Sequence, residues 1–122
     1  MCDCSDLIGR PYRLGADGTD REIDCIHLVY EVLQRLGIPA PEFDPSWYDG
    51  NRKQIVRALK AWGRRIDYPR YDGDVLLIPQ QGWAFAVTWQ AGILYINRHL
   101  EQVAWCPITA IRQCHCFRSR SS

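Results

Sequence analysis

One stretch of this 122-residue sequence decides how it folds: residues 24–37, which read DCIHLVYEVLQRLG. Asp24 is a good helix N-cap, because its carboxylate can accept hydrogen bonds from the unpaired N–H groups of the first turn. The apolar residues that follow recur at i, i+3, i+4 and i+7, which is the spacing of one helical face. Gly37 is a typical helix stop. We therefore predict an amphipathic helix with an apolar stripe formed by Cys25, Leu28, Val29, Val32, Leu33 and Leu36.

Weaker patterns on either side of this helix complete the predicted domain. A short helical turn can start near residue 5, and a second amphipathic helix is predicted from a cap at Asn51 to a stop at Gly63. The pattern then changes to that of strands, in runs at residues 75–78, 83–89, 93–96, 101–105 and 113–117. Helices followed by an antiparallel meander indicate an α+β fold. We expect a single domain over residues 1–122, with a core at 5–117 and a short basic tail at 118–122.

The composition excludes several classes of protein. Apolar residues make up 47% of the chain, which is too many for a disordered protein. The formal net charge of +1 provides no overall field for binding nucleic acid or an anionic membrane. No apolar run approaches the ~20 residues of a membrane span, and the first residues do not resemble a secretory signal. We therefore expect a chain that folds in a reducing compartment, with no nucleic-acid partner and no membrane span.

Three short motifs occur in a defined order along the chain. Residues 9–15 read GRPYRLG, Asp24 and Cys25 open the predicted central helix, and residues 73–74 read GD just before the first strand. This order resembles the NlpC family of papain-like cell-wall peptidases, in which a Gly-x-Pro-Tyr-x-x-Gly loop precedes an Asp-Cys dipeptide and a Gly-Asp step. The resemblance implies a papain-like NlpC-type fold, with helices packed on a small antiparallel sheet. It also implies that Tyr12 belongs to the cleft loop and that Cys25 occupies the nucleophile position.

The location of Cys25 also has a physical argument that does not depend on the family. A Cys in the first turn of a helix lies at the positive end of the helix dipole, close to unpaired N–H groups. Both favour the thiolate, which is the nucleophilic form. The alternative is that Cys25 is a small apolar residue of the buried stripe. The motif order favours the nucleophile position.

A nucleophilic Cys needs a base, and the resemblance implies a His at the start of the strand that follows the Gly-Asp step. Ala84 occupies that position in this sequence. His27 lies two residues beyond Cys25 on the helix, so the two side chains point in different directions. His99 falls in a predicted turn, and His115 lies on the last predicted strand. The sequence therefore offers no replacement for the missing base.

Two further positions bear on activity. Asn97 falls where the family has the polar residue that orients the catalytic His, but an orienting residue has no role without that His. Ile26 follows Cys25 where the family has a small residue, which indicates a filled or reshaped cleft. The sequence therefore favours a chain that is not an active enzyme.

Four of the six cysteines form two Cys-x-Cys pairs, one at each end of the chain. Residues i and i+2 of a strand lie on one face, so each pair can present two thiols together. Four converging thiolates would suit zinc or an iron–sulfur cluster. The alternatives are two disulfides or four thiols that bind nothing. We predict a shared metal site formed by Cys2, Cys4, Cys114 and Cys116.

The resemblance also implies a biological role. Members of the NlpC family act as peptidoglycan peptidases in bacteria and as tail-tip components in bacteriophages, and this short chain is similar to the phage-tail branch. The expectation is a catalytically degenerate domain that is made in the host cytoplasm and contacts other tail or baseplate proteins in the virion. One alternative is an active cysteine peptidase that cleaves peptidoglycan stem peptides. Another is a protein of the bacterial cytoplasm or cell envelope that binds wall fragments without cleaving them.

Overall fold

The computed structural model of the chain describes residues 3–49, 52–79, 83–111 and 114–120. Within these ranges two α-helices pack on a six-stranded antiparallel sheet, which confirms the predicted α+β class. Neither helix is long and apolar enough to cross a membrane. The elements are α1 (Cys25–Leu36), α2 (Arg52–Trp62), β1 (Gly63–Ile66), β2 (Val75–Pro79), β3 (Trp83–Trp89), β4 (Gly92–Asn97), β5 (Gln102–Pro107) and β6 (His115–Ser119), with short 3-10 turns at Ser5–Leu7, Pro45–Asp49 and Ile108–Ala110.

Helix α1 forms as the sequence predicts. The Asp24 side chain accepts a hydrogen bond from the backbone N–H of His27 at 2.8 Å, which is the expected N-cap contact. Gly37 adopts a left-handed conformation with φ of 74°, which ends the helix. The residues that α1 buries completely or almost completely are Ile26, Leu28, Val29, Val32 and Leu33.

The sheet contains one strand that the pattern does not indicate. Helix α2 ends at Trp62, and Gly63 leads directly into β1, which pairs with β6 at the edge of the sheet. A Cβ atom on Gly63 would lie 2.2 Å from the carbonyl oxygen of Arg118, so only glycine permits this close approach. Strand β6 includes Arg118 and Ser119, so the sheet extends two residues into the predicted tail. The predicted cap of α2, Asn51, lies outside the described residues.

The sheet separates two apolar clusters because alternate side chains of each strand point to opposite faces. The strands follow the order β1-β6-β2-β3-β4-β5. One face packs against α1 and α2 and forms the main core, to which Val75, Phe85 and Phe117 belong. The opposite face carries a smaller cluster, formed by Leu76, Ile78, Ala86, Ile93 and Cys116. The two faces therefore hold different sets of functional candidates.

The Gly-Asp step into the sheet has a clear structural role. Gly73 has a φ of 93°, and a Cβ atom there would lie 2.5 Å from the Ile38 side chain, so glycine is required. The next residue, Asp74, is 1% exposed and forms a two-point ion pair with Arg118 at 2.8 and 2.9 Å. This pair connects the start of β2 to β6.

Candidate functional site

Cys25 lies at the start of α1, where the helix packs against β3. Phe85, on β3, lies close enough that its backbone N–H lowers the pKa of the Cys25 thiol. The thiol is half-buried rather than fully exposed. The position predicted for a nucleophile is therefore at the junction of helix and sheet.

The residue of β3 that contacts this junction differs from the one expected. Ala84 and Ala86 pack against the apolar cluster on the far face of the sheet. Phe85 and Val87 belong to the main core on the helix side. The expectation that Ala84 occupies the place of the base beside Cys25 is therefore wrong in its geometry, because strand alternation directs its side chain away from α1. Phe85 is the side chain on the Cys25 side, and it has no group that can accept a proton.

The environment of Cys25 keeps its sulfur protonated near neutral pH. Burial raises the pKa of the thiol to about 11, and the negative charge of Asp24 contributes to this rise. The Phe85 N–H lowers the pKa by a smaller amount. The expectation that the helix N-terminus favours the thiolate is wrong here, because desolvation of the charged form outweighs the favourable dipoles.

Asp24 organises the residues around Cys25. Its carboxylate is 1% exposed and accepts a hydrogen bond from the backbone N–H of Gly15 at 3.0 Å, in addition to the N-cap bond from His27. The ring of His27 donates from Nδ1 to Asp24 Oδ1 at 2.8 Å. The hydroxyl of Tyr48 donates to Asp24 Oδ2. One carboxylate thus joins the glycine-rich loop, helix α1 and the 3-10 turn at Pro45–Asp49.

These contacts hold His27 in a position where it does not activate Cys25. Its Nδ1 is bonded to Asp24, and its ring lies 5.6 Å from the ring of Phe43, measured between centroids. Within the described residues, no imidazole forms a hydrogen bond with the Cys25 sulfur. A base must come within about 2.6–3.2 Å of the proton donor to act on it. The arrangement therefore lacks the pairing of nucleophile and base.

Aromatic residues from the loop after α1 cover this region. Trp47 is 3% exposed and stacks on Phe85 with ring centroids 5.4 Å apart. Phe43 packs edge-on against both Trp47 and Tyr48. The Tyr30 hydroxyl donates a hydrogen bond to the carbonyl of Pro41 and so fixes the loop on α1. Ile26 is 3% exposed, and the filled cleft that it indicates stays a prediction.

The remaining residues predicted for the cleft have structural partners. Tyr12 packs against the main core, and the Arg98 guanidinium lies 4.8 Å from the centre of its ring. Asn97 ends β4, and its side-chain oxygen accepts hydrogen bonds from the backbone N–H groups of His99 and Leu100. Asn97 therefore stabilises the turn between β4 and β5. In the described part of the chain its side chain forms no hydrogen bond with an imidazole, and its role as an orienting residue stays a prediction.

The structure brings the C-terminal Cys-x-Cys pair together. The sulfurs of Cys114 and Cys116 are 3.2 Å apart. Cys4 is buried in the main core, whereas Cys116 lies in the cluster on the opposite face of the sheet. Cys2 lies outside the described residues, which contain no group of three or more side chains arranged to hold a metal. The four-cysteine zinc or iron–sulfur site stays a prediction, and the separation of Cys4 from the C-terminal pair does not support it.

Thiol reactivity distinguishes these cysteines. A hydrogen bond from Cys116 lowers the pKa of Cys114, whereas burial raises the pKa of Cys25 to about 11. Because only the thiolate is alkylated, we expect iodoacetamide to modify Cys114 faster than Cys25 at neutral pH. Cys25 should stay almost unmodified until the pH approaches 11. Peptide mapping by mass spectrometry between pH 6 and pH 9 measures both rates. Faster modification of Cys25 than of Cys114 would contradict the opposite pKa shifts of the two thiols.

Two residues of this site do not follow from the sequence pattern. Tyr48 belongs to an aromatic loop with no periodicity, so its bond to Asp24 has no local signal. Phe85 lies in the predicted strand, and alternation relative to Cys25 could have identified it if the buried face had been known.

No protein-family model matches the chain, and neither does any curated protein. The function must therefore be inferred from the geometry around Cys25.

Proposed function

We propose that this chain is a catalytically inactive NlpC-like domain that serves as a structural component of a bacteriophage tail tip or baseplate. One observation supports a lack of activity: among the described residues, no imidazole forms a hydrogen bond with the sulfur at the nucleophile position, and burial raises the pKa of that thiol. The order of the three motifs supports the NlpC-like assignment.

The packing around Cys25 argues against a cryptic catalytic arrangement. Phe85 occupies the side of β3 that faces α1, and Trp47 stacks on it. An incoming peptide would have to displace these buried aromatic rings, and burial of each ring contributes about 1.5–3 kcal/mol to stability. The site is thus built as a core contact and not as an open cleft.

An open surface near the same loop supports a role in contacts with other proteins. A groove of about 560 Å³ runs between residues 40–45 and the C-terminal half of α2. Phe43 is 37% exposed and lines this groove together with Ala58, Ala61 and Trp62. A tail or baseplate component is expected to bury such surface against neighbouring subunits, over more than about 1,000 Å² in total.

The proposal predicts that the purified domain releases no stem-peptide fragments from peptidoglycan. Cys25→Ala should leave this result unchanged and should leave assembly intact in a phage that encodes the chain. Fragment release can be measured by chromatography of digested sacculi, and assembly by plaque formation after complementation. Turnover that Cys25→Ala abolishes would contradict the proposal and would favour the alternative, an active cysteine peptidase.

For this chain to act as a peptidase, a base that does not contact Cys25 in this structure would have to pair with it. His27 is the nearest candidate in sequence, and its Nδ1 is already bonded to Asp24. If His27→Ala removed turnover to the same extent as Cys25→Ala, the two residues would act together, as a nucleophile and base do. We expect neither variant to change the rate of peptide release.

A further inference from the structure

The charges of this chain are segregated along the sequence although they nearly cancel overall. Residues 1–49 contain 10 acidic and 4 basic residues, whereas residues 50–122 contain 4 acidic and 11 basic residues. A net charge of +1 therefore conceals a strongly basic C-terminal part. The expectation that no overall field favours nucleic acid or an anionic membrane rests on the sum of the charges, whereas a local field depends on their distribution.

Six of these basic residues lie on the outer side of α2 and on the edge strand β1. All six are exposed, and within the described residues none of the six forms an ion pair with a carboxylate. The arginines that do form ion pairs lie elsewhere, at positions 10, 13, 35 and 118. The unpaired set is Arg52, Lys53, Arg57, Lys60, Arg64 and Arg65.

Two of these arginines converge on one imidazole. Arg52 Nη1 lies 3.2 Å from Nε2 of His115, and Arg65 Nη2 contacts Nδ1 of the same ring. A neutral imidazole has one acceptor nitrogen and one N–H, and a guanidinium can only donate. One of the two guanidinium groups therefore faces the N–H of the imidazole. A guanidinium has no acceptor atom, so it cannot form a hydrogen bond with that N–H. The cluster holds more donors than acceptors.

The surroundings of His115 keep this donor cluster in place. The Trp83 ring lies 5.1 Å from the His115 ring, tilted by 47° to it, and 5.4 Å from the Arg52 guanidinium, so it holds the two groups by a ring contact and a cation–π contact. Burial, followed by the charges of Arg65 and Arg52, lowers the pKa of His115. The imidazole is thus neutral at physiological pH while the cluster is empty of anions, and it can gain a proton when negative charge arrives.

A cavity lies beside these residues. It has a volume of about 480 Å³ and is lined by Arg52, Lys53, Val56, Arg57, Lys60 and Arg65. Cavities of about 300–1,000 Å³ are typical of small-molecule sites. Five cationic side chains around one cavity favour a ligand with a compact, multiply charged anionic group. Phosphate has such a charge, and its oxygens match the planar fork of arginine.

We propose that Arg52, Arg65 and His115 form a binding site for the phosphate group of a small phosphorylated ligand, next to the basic cavity of α2. The phosphate oxygens supply the acceptors that the cluster lacks, one to each guanidinium. The imidazole then binds a proton and donates a third hydrogen bond. Lys53, Arg57 and Lys60 attract the ligand through longer-range electrostatics, and Trp83 is a positioning residue.

Nuclear magnetic resonance of the His115 ring tests the proposal directly. Inorganic phosphate and glycerol phosphate are titrated separately into the full chain, with sodium chloride added to hold the ionic strength constant. We expect saturable shifts of the His115 ring signals and a His115 pKa that is higher with ligand than without it. Tighter binding of glycerol phosphate identifies a phosphomonoester as the ligand, whereas equal or tighter binding of inorganic phosphate identifies the free ion.

Matched variants separate a defined site from a diffuse basic surface. Arg52→Gln and Arg65→Gln each remove one proposed phosphate contact and should weaken binding about tenfold, the loss expected for a charge-assisted hydrogen bond. Arg57→Gln removes the same charge from the same cavity without touching His115, and should weaken binding less than about threefold. Absence of saturable shifts with both probes, or an equal loss in all three variants, would overturn the proposal. The three arginines are exposed, and thermal unfolding verifies that each variant is folded.

Discussion

Replacement of Asp74 by alanine is expected to destabilise the protein by about 3–5 kcal/mol, the usual cost of removing one partner of a buried ion pair. The Asp74 carboxylate is 1% exposed and receives both prongs of the Arg118 guanidinium. It also accepts hydrogen bonds from the backbone N–H groups of Arg70 at 2.9 Å and Tyr71 at 3.1 Å. Alanine would leave a largely buried guanidinium and two backbone donors without their acceptor.

Urea unfolding followed by tryptophan fluorescence measures this loss. Asp67→Ala is the matched control, because Asp67 is exposed and its removal should change stability by less than about 0.5 kcal/mol. A loss below 1.5 kcal/mol for Asp74→Ala, on the order of one ordinary hydrogen bond, would show that the pair between β2 and β6 contributes little.

The elements that could be predicted are those with strong local signals. Asp24 and Gly37 mark the ends of α1, and the spacing of its apolar residues matches the face that it buries. Strand β1 could not be predicted, because its residues read GRRI and follow a helix with no turn between them. What makes β1 a strand is its pairing with β6, a contact between residues that are 50 to 56 positions apart in the sequence. Local patterns contain no information on such pairings.

The candidate site was predictable in position and not in chemistry. The motif order places Cys25 at the start of a helix, and the structure agrees. Its pKa depends instead on how tightly β3 and the aromatic loop close over it, which no local pattern reports. Ala84 illustrates the same limit: a shift of one residue along a strand changes the face that a side chain occupies. Ala84, which the motif order aligns with the missing base, therefore lies on the face of the sheet that points away from Cys25.

Replacement of Asp24 by alanine should produce the second large effect, a loss of about 2–4 kcal/mol. The N-cap contact alone contributes about 0.5–2 kcal/mol. The remainder comes from the hydrogen bonds that Gly15, the His27 ring and Tyr48 donate to the same buried carboxylate, since each unpaired buried donor costs about 1–3 kcal/mol. In the variant, water can partly replace the lost hydrogen bonds of His27 and Tyr48. The expected loss of stability is therefore smaller than the sum of these separate costs.

Tyr48→Phe separates the network from the cap, because it removes one hydrogen bond and leaves the carboxylate in place. We expect it to lower the free energy of unfolding by about 0.5–1.5 kcal/mol, the net value of a single hydrogen bond. Asp24→Asn keeps a side-chain oxygen that can cap the helix, so it should lose less stability than Asp24→Ala. If Asp24→Asn were as destabilising as Asp24→Ala, the negative charge would be the essential property of this residue. If Asp24→Ala cost no more than a typical cap, the bonds to His27 and Tyr48 would be dispensable, and the aromatic cover over Cys25 would have to be held by packing alone.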